Sequence, residues 1–169
     1  MYNMKACEKI VIDLTKSLAN CGEKIPFCGD FALEDGLLPY PDAKLEKVSL
    51  NFWVTYLNPN VSVCGTITVF VSGSCDRCLE KVSQSFVLNF DQTFFKDSAE
   101  EGCYAYFGSK LDVTKAVQDE IVLSVPTLLL CSPNCKGLCP KCGANKNHTD
   151  CGCDTGKENA FSALKNLKF

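Results

Sequence analysis

The feature that most constrains this chain is a run of six cysteines between Cys131 and Cys153, in a segment almost without apolar side chains. Such a segment cannot bury a hydrophobic core of its own, so a cross-link or a metal ion must hold its fold together. The whole chain has 13 cysteines, an odd number, and charged side chains interrupt its first 22 residues, which predicts no secretory signal peptide. We therefore expect a reducing, cytoplasmic setting in which clustered thiols bind metal rather than form disulfides.

The spacing of the last four cysteines predicts a zinc site. One pair is Cys139-Pro140-Lys141-Cys142, and a second pair, Cys151-Gly152-Cys153, returns eight residues later. Four thiolates so close together in the chain suit the tetrahedral coordination of Zn²⁺. His148 in place of Cys153, an interleaved pairing of the cysteines, and an iron–sulfur cluster are the alternatives.

A further pair, Cys75-Asp76-Arg77-Cys78, lies at a predicted turn between two strands. Two ligands do not complete a structural zinc site, and the nearest unassigned thiols are Cys131 and Cys135. If the helix predicted near residues 112–124 packs back on the sheet, its end can bring these two thiols to the turn. We therefore predict a second zinc site that joins both pairs, for one or two ions in all; a redox role for the first pair is the alternative.

The middle of the chain alternates apolar and polar residues with the period of a half-buried β-strand. Residues 48–57 show this pattern most clearly, and it returns around Val63 to Val71 and around Val82 to Phe90. Shorter strands are predicted around Ile12 and over residues 104–107. Because the turns between successive strands are short, antiparallel pairing is expected.

The period changes after Asp112, where residues 113–121 follow helical spacing and Pro126 predicts the stop. Residues 19–47, rich in Gly and Pro, are predicted to be irregular. The expected fold is therefore α+β, an antiparallel β-sheet core with one or two packed helices and a cysteine-rich zinc-binding segment. Residues 1–130 are assigned to the core, and residues 131–169 to a tail that ends in a short helix.

Composition excludes several classes of protein. The net charge of −3 argues against a generally basic nucleic-acid-binding protein, and no apolar run is long enough for a membrane helix. No arrangement of nucleophile and base and no phosphate-binding glycine loop is visible, so neither an enzyme nor a small-molecule substrate is expected. The five isolated cysteines are expected to be buried or half-buried apolar thiols: Cys7, Cys21, Cys28, Cys64 and Cys103.

Three motifs follow one another in a specific order: Cys75-x-Arg77-Cys78-Leu79, a helix with Asp119-Glu120, and a block from Cys131 to Cys153 that contains Cys-Lys-Gly-Leu-Cys-Pro-x-Cys-Gly. Their order resembles the cysteine-rich form of the bacterial YceD family, the large ribosomal RNA subunit accumulation proteins. The resemblance implies a cytoplasmic protein without enzymatic activity that supports accumulation of 23S rRNA. Its partner would be ribosomal RNA or a ribosome-assembly or RNA-processing protein.

Few side chains are candidates for contact with such a partner. They are the chain's single arginine and three lysines around the predicted metal loops: Arg77, Lys136, Lys141 and Lys146. These cations can bind phosphate, or they can merely balance the thiolates. Two other functions therefore stay open, a zinc-stapled protein–protein adaptor without direct RNA binding and a thiol redox protein.

Overall fold

A computed structural model of the chain describes residues 9–33, 36–40, 42–97 and 102–153. The elements, in chain order, are β1 (Val11–Asp13), α1 (Thr15–Ala19), β2 (Lys24–Phe31), β3 (Lys44–Leu57), β4 (Asn60–Ser74), β5 (Lys81–Lys96), β6 (Tyr104–Tyr106), β7 (Lys110–Asp112) and α2 (Thr114–Ser124). Strands β2, β3, β4, β5 and β6 form one sheet in that order, and β1 pairs with β7. The predicted α+β class is confirmed, whereas the predicted terminal helix lies outside the described residues.

The three long strands form because their side chains alternate between a buried and a solvated face. In β3, Val48, Leu50 and Phe52 are buried, while Asn51 and Trp53, which point to the opposite face, are exposed. Strands β3, β4 and β5 pair antiparallel, as predicted. One face of the sheet thus packs against β1, β7 and α2 in a single hydrophobic core, and the other face meets water.

Because Gly65 in β4 has no side chain, an aromatic ring from β3 and one from β5 can contact each other. Gly65 pairs with Phe52 on one side and with Phe90 on the other, and the two rings stack with centroids 4.7 Å apart. A Cβ atom at this position would collide with the carbonyl oxygen of Asn51. Close packing at the centre of the sheet therefore requires glycine at position 65.

Two expectations about strands are wrong. Residues 19–47 are not irregular throughout, because β2 pairs with β3 over its whole length, Pro26 opposite Trp53. An edge strand tolerates proline, since one side of it needs no ladder hydrogen bonds. Strand β6 runs parallel to β5 rather than antiparallel, and the two strands pair over three residues only.

Helix α2 positions the cysteine-rich segment. The Asp112 carboxylate accepts a hydrogen bond from the Thr114 N–H (2.9 Å), one residue before the N-cap position at Val113. Ala116, Val117 and Ile121 are buried against the sheet, and the helix ends at Ser124, before Pro126, as predicted. The chain then returns along the sheet towards the β4–β5 turn, where Leu129 is buried.

The isolated cysteines differ from expectation. Cys21, Cys28 and Cys103 are exposed, so the prediction of buried thiols is wrong for them, while Cys64 is half-buried and Cys7 lies outside the described residues. These three cysteines lie outside the hydrophobic core. Each is on the outward face of a strand or in a loop, where its side chain is exposed to water. No helix in the described ranges is long and apolar enough to cross a membrane.

Candidate metal centre

Four thiols from two distant segments meet beyond the end of the long strands. Cys75 and Cys78 lie in the turn between β4 and β5, whereas Cys131 and Cys135 follow α2. All four sulfur atoms lie within 4.8 Å of one another, with 3.8 Å between Cys75 and Cys135 and 3.5 Å between Cys78 and Cys131. We call this group the bridging tetrad. Three of its thiols are buried and Cys131 is half-buried.

The remaining clustered thiols form a second group close by in the chain. Cys139, Cys142, Cys151 and Cys153 also have their sulfur atoms within 4.8 Å of one another. We call this group the loop tetrad. Cys139 is buried, but Cys142 is exposed and the other two thiols are half-buried. The structure thus brings together the eight predicted ligands in two sets of four.

The two Cys-x-x-Cys turns have the same backbone hydrogen bonds. The carbonyl oxygen of Cys75 accepts from the Leu79 N–H (2.9 Å), and the Cys75 N–H donates to the Glu80 carbonyl (2.8 Å). In the loop tetrad the carbonyl of Cys139 accepts from the Gly143 N–H (2.8 Å), and the Cys139 N–H donates to the Ala144 carbonyl (2.8 Å). The fifth residue of each turn has a positive φ, 62° at Leu79 and 72° at Gly143. Only the second turn has the glycine that this conformation favours.

Backbone N–H groups turned inward lower the pKa of Cys75 in the bridging tetrad and of Cys139 in the loop tetrad. Burial opposes ionisation of Cys75, but N–H groups of Cys131, Arg77 and Cys78 lower its pKa to about 6. Hydrogen bonds from the N–H groups of Cys142 and Lys141 likewise lower the pKa of Cys139 to about 6. Each tetrad therefore has a thiolate stabilised by main-chain dipoles before any cation is considered.

Neighbouring thiols raise the pKa of other cysteines in the two tetrads. Although the Glu80 N–H favours the thiolate of Cys78, burial and the thiols around it raise the pKa of this side chain to about 12. The thiols of Cys142 and Cys151 raise the pKa of Cys153 to about 12. Four thiolates this close repel one another, and a divalent cation among them removes that repulsion.

The distances within the bridging tetrad provide a test of fit. Four sulfur atoms at the corners of a tetrahedron, each about 2.3 Å from a central zinc ion, lie about 3.8 Å apart. The separations of 3.8 and 3.5 Å agree with this value. Both tetrads, as clusters of four sulfur donors with inward N–H groups, can hold a metal ion.

Residues that sequence reasoning missed anchor the bridging tetrad. The Asp76 carboxylate accepts from the Leu129 N–H (2.6 Å), and the Asp76 N–H donates to the Leu129 carbonyl (2.8 Å). Gln84 donates to the Leu130 carbonyl (2.7 Å). These hydrogen bonds hold the residues just before Cys131 against the β4–β5 turn and the start of β5. The only signal for Asp76 in the sequence is its place between two ligands.

A second layer of polar groups orients Cys135. The Asn147 Nδ2 donates to the Cys135 sulfur (3.3 Å), while the Asn147 Oδ1 accepts from the Lys136 N–H (2.8 Å). The hydrogen bond from Asn147, with the Gly137 N–H, lowers the pKa of Cys135. Asn147 belongs to the loop that closes the other tetrad, so it links the two groups. Groups of this kind orient ligands and tune metal affinity.

The loop is also joined to the β4–β5 turn directly. The Leu138 N–H donates to the Arg77 carbonyl (3.0 Å), and the Arg77 guanidinium donates to the Cys135 carbonyl (3.1 Å). The His148 Nε2 lies 2.7 Å from the Glu80 Oε1. His148 is thus paired with a carboxylate, while Cys153 completes the loop tetrad in its place.

The predicted partner contacts lie at the surface of this region. Arg77, Lys136 and Lys141 are exposed and Lys146 is half-buried. Arg77 already uses its guanidinium within the chain. Contact of these side chains with RNA or with a protein stays a prediction, as does the division of the chain into two domains at residue 130.

Comparison with known proteins places these residues in a family. The model of the family described as large ribosomal RNA subunit accumulation protein YceD matches residues 63–168, which include all eight tetrad cysteines. Large ribosomal RNA subunit accumulation protein YCED homolog 1, chloroplastic, from Arabidopsis thaliana is 23% identical over 163 residues, covering 76% of this chain and 50% of that protein. Its Zea mays counterpart is 26% identical over 174 residues, covering 82% and 59%.

A bacterial protein is also similar to this chain. An uncharacterized protein of Mycobacterium tuberculosis is 29% identical over 119 residues, covering 66% of this chain and 53% of the relative. This chain therefore spans about half the length of the curated relatives it matches. No solved structure matches it at a significant level. Because the family model covers more than half of the chain, this protein belongs to the YceD family.

Proposed function

We propose that this protein is a non-enzymatic cytoplasmic factor that supports accumulation of 23S rRNA, and so of the large ribosomal subunit, and that its tetrads bind structural zinc. One observation carries the proposal: the match to a family named for accumulation of large-subunit rRNA covers the whole region of both tetrads. The partner is ribosomal RNA or a protein of ribosome assembly or RNA processing. The named plant relatives support the same role.

The ligand chemistry supports zinc as a structural ion. Sulfur-only sets of four ligands are typical of structural zinc sites, whereas catalytic sites keep one position open for water or substrate. The bridging tetrad would hold one ion and the loop tetrad another, and each ion would supply a cross-link between its segments. This donor set is also the reason for proposing a role without catalysis.

A genetic experiment tests the role. Deleting the gene in the organism that encodes it is expected to lower the ratio of 23S to 16S rRNA, and the wild-type gene is expected to restore it. A Cys28→Ser variant, altered at an exposed thiol outside both tetrads, should restore the ratio as well. An unchanged ratio in the deletion strain would refute the proposed role.

Charge favours a second candidate, the zinc-stapled protein–protein adaptor. The chain has a formal charge of −3 with neutral thiols, and each tetrad filled with zinc adds about −2, giving about −7 in all. Such a protein repels the phosphates of RNA. Direct binding should show a steep dependence on salt concentration if RNA is the partner, and titration with ribosomal RNA at several salt concentrations measures it.

A further inference from the structure

The chain that follows the bridging tetrad folds as a short antiparallel hairpin over residues 136–147, which we call the lid hairpin. The Lys146 N–H donates to the Gly137 carbonyl (2.9 Å), and Leu138 pairs with Asn145. The turn that closes the hairpin contains two thiols of the loop tetrad, and its open end directly follows the last thiol of the bridging tetrad. Each end of the hairpin is therefore joined to a different tetrad.

The lid hairpin packs over the bridging tetrad. Leu138 contacts the cluster formed by the buried bridging thiols, and its N–H donates to the Arg77 carbonyl (3.0 Å). The Gly137 backbone lies so close to the β4–β5 turn that a Cβ atom on it would be 3.0 Å from the same carbonyl oxygen. The Asn147 side chain donates to the Cys135 sulfur (3.3 Å). Apolar packing and hydrogen bonds thus hold the hairpin against the thiols that would bind the bridging ion.

The residue after the hairpin adds a contact on the side of Cys78. The His148 Nε2 lies 2.7 Å from the Glu80 Oε1, and the other carboxylate oxygen of Glu80 accepts from the Cys78 sulfur (3.7 Å). With these contacts in place, Cys75 is fully buried and Cys78 is 4% exposed. A chelator in solution therefore has little access to an ion among the bridging thiols unless the hairpin moves away.

The loop tetrad is more accessible than the bridging tetrad. Its Cys142 is exposed, and Cys151 and Cys153 are half-buried. Because ligand exchange at an exposed thiol does not require the hairpin to open, a chelator can remove an ion from the loop tetrad while the bridging tetrad stays covered.

Few side chains stabilise the lid hairpin itself. Apart from proline and the cysteines, Leu138 is its only large apolar side chain, and an isolated two-stranded hairpin is at best marginally stable in water. An ion shared by the turn thiols and by Cys151 and Cys153 acts as a cross-link between the turn and the chain beyond the second strand. Without that cross-link the hairpin opens more readily and exposes the bridging thiols.

We propose that the lid hairpin is a gate over the bridging tetrad, and that zinc binding by the loop tetrad keeps this gate closed. Zinc then enters the bridging tetrad first and the loop tetrad second, and it leaves in the reverse order. The inference rests on the proposed function for zinc binding at both tetrads. It assigns them different roles, since the bridging tetrad holds a sequestered ion and the loop tetrad holds an exchangeable ion that controls its release.

The rate of zinc transfer to a chelator tests the gate. The full chain is loaded with zinc, freed of excess metal and mixed with a chromophoric chelator, and the absorbance records zinc release over time. Cys139→Ser leaves the bridging tetrad intact but without a closed gate. We expect this variant to release its bridging ion at least about tenfold faster than the slow phase of the wild type.

The converse variant isolates the other site. Cys75→Ser leaves the loop tetrad alone intact, and its zinc release should match the fast phase of the wild type within about threefold. Independent tetrads would instead give a wild-type trace equal to the sum of the traces of the two variants, and that result would overturn the proposal.

A variant that keeps all eight cysteines tests the hairpin contact directly. Gly137→Ala adds a Cβ atom against the Arg77 carbonyl and strains a backbone with φ of 71°. It should speed release of the bridging ion at least about tenfold. The matched control Gly108→Ala places the same kind of strain, at φ of 66°, in open space between β6 and β7, and should change release less than about twofold.

A double variant shows whether Gly137 acts through the gate or through a ligand, because its N–H also lowers the pKa of Cys135. If the gate carries the effect, Gly137→Ala combined with Cys139→Ser should release zinc within about twofold of Cys139→Ser alone, since the gate is already open. Multiplied effects would mean that the glycine acts on the ligand itself, and would overturn the proposal.

Alkylation identifies the tetrad that loses its ion first. Wild-type protein taken after the fast phase is treated with N-ethylmaleimide, and peptide mapping shows which thiols are labelled. We expect label on Cys142 and Cys151, while Cys75 and Cys135 stay protected relative to metal-free protein treated in the same way. Earlier label on Cys75 and Cys135, or protection no greater than in metal-free protein, would overturn the proposed order.

Elemental analysis of the loaded wild type separates failure of the gate from failure of the proposed function. Two zinc ions per chain, together with equal release of the bridging ion from the wild type and from Cys139→Ser, would reject the gate and leave zinc binding standing. Fewer than two ions would reject zinc binding at one tetrad, and the gate with it.

Discussion

The bridging tetrad and the loop tetrad have the same four sulfur donors and the same turn at their first two cysteines, yet they join very different parts of the chain. The first connects a turn of the sheet to the segment after α2, with 52 residues between Cys78 and Cys131. The second closes a loop with eight residues between Cys142 and Cys151. Three of four thiols are buried in the first group, but only one in the second.

From this difference we expect the effect of a bound ion on stability to depend on the length of chain that it closes as well as on its ligands. A cross-link lowers the entropy of the unfolded chain more when it closes a longer loop. The bridging tetrad, moreover, lies against the end of the sheet through Asp76 and Leu129. The loop tetrad should therefore order its own segment, while the bridging tetrad should stabilise the whole fold.

The largest effect is expected from Cys75→Ser, which removes a buried ligand of the bridging tetrad. Loss of the ion should free the segment after α2 from the turn and lower the free energy of unfolding by about 3 kcal/mol. For a chain of this size that corresponds to a fall of roughly 10 °C in the thermal midpoint, measured by calorimetry. Cys28→Ser is the control, and a midpoint equal to wild type in Cys75→Ser would rule out the bridging role.

A local effect is expected from Cys139→Ser or Cys142→Ser. Because the sheet has its own apolar core, loss of the loop ion should leave the midpoint within about 3 °C of wild type. Amide hydrogen exchange should speed up in residues 131–153 and stay unchanged in β3, β4 and β5. Unchanged exchange in residues 131–153 would contradict a local role of the loop tetrad, as would faster exchange across the sheet.

The protonation of the bridging thiols predicts how zinc affinity depends on pH. Cys78 and Cys131 have raised pKa values, the first through burial and nearby thiols and the second through the Cys135 side chain, so zinc must displace their protons. With at least these two protons released, the zinc affinity should fall at least about 100-fold for each unit by which the pH decreases near pH 7. Below pH 6 the fall should steepen, because protonation of Cys75, with a pKa of about 6, adds a further proton.

Competition with a chelator at several pH values measures this dependence. The Cys139→Ser variant isolates the bridging tetrad for the purpose, since its loop tetrad has lost a ligand. Affinity that does not change between pH 7 and pH 6 would show that the four thiols are not the ligands.

The smallest effect is expected from Asn147→Ala, which removes the hydrogen bond to the Cys135 sulfur but no ligand. Loss of a group that orients a ligand should weaken zinc binding at the bridging tetrad about tenfold. The rate of zinc transfer to a chelator provides the measurement, and Asn89→Ala, on the solvated face of β5, is the matched control. Identical transfer rates in the two variants would show that the hydrogen bond from Asn147 to Cys135 does not affect zinc binding.

Much of the fold follows from local pattern. The strands around Phe52, Ile67 and Phe90 and the helix before Pro126 are predicted because a two-residue or helical period is visible without knowledge of the rest of the chain. The same is true of each Cys-x-x-Cys pair. That Cys75 and Cys131 share a site follows only once α2 is packed back on the sheet.

The remaining features depend on tertiary contacts. Strand β2 contains proline and glycine, and pairing with β3 overrides its weak strand propensity. Asp76 and Asn147 contact groups 53 and 12 residues away, respectively, so no local pattern identifies them. The positive φ of Leu79 is imposed by the turn around the cysteines and contradicts the preference of its residue type.

The most direct test of two separate zinc sites is the metal content of protein purified without added metal, by elemental mass spectrometry. We expect two zinc ions per chain in the wild type, and one in each of the single variants Cys75→Ser and Cys139→Ser. One ion in the wild type and in Cys75→Ser alike would confine zinc to the loop tetrad. Absence of metal from the wild type would contradict the structural role of both tetrads.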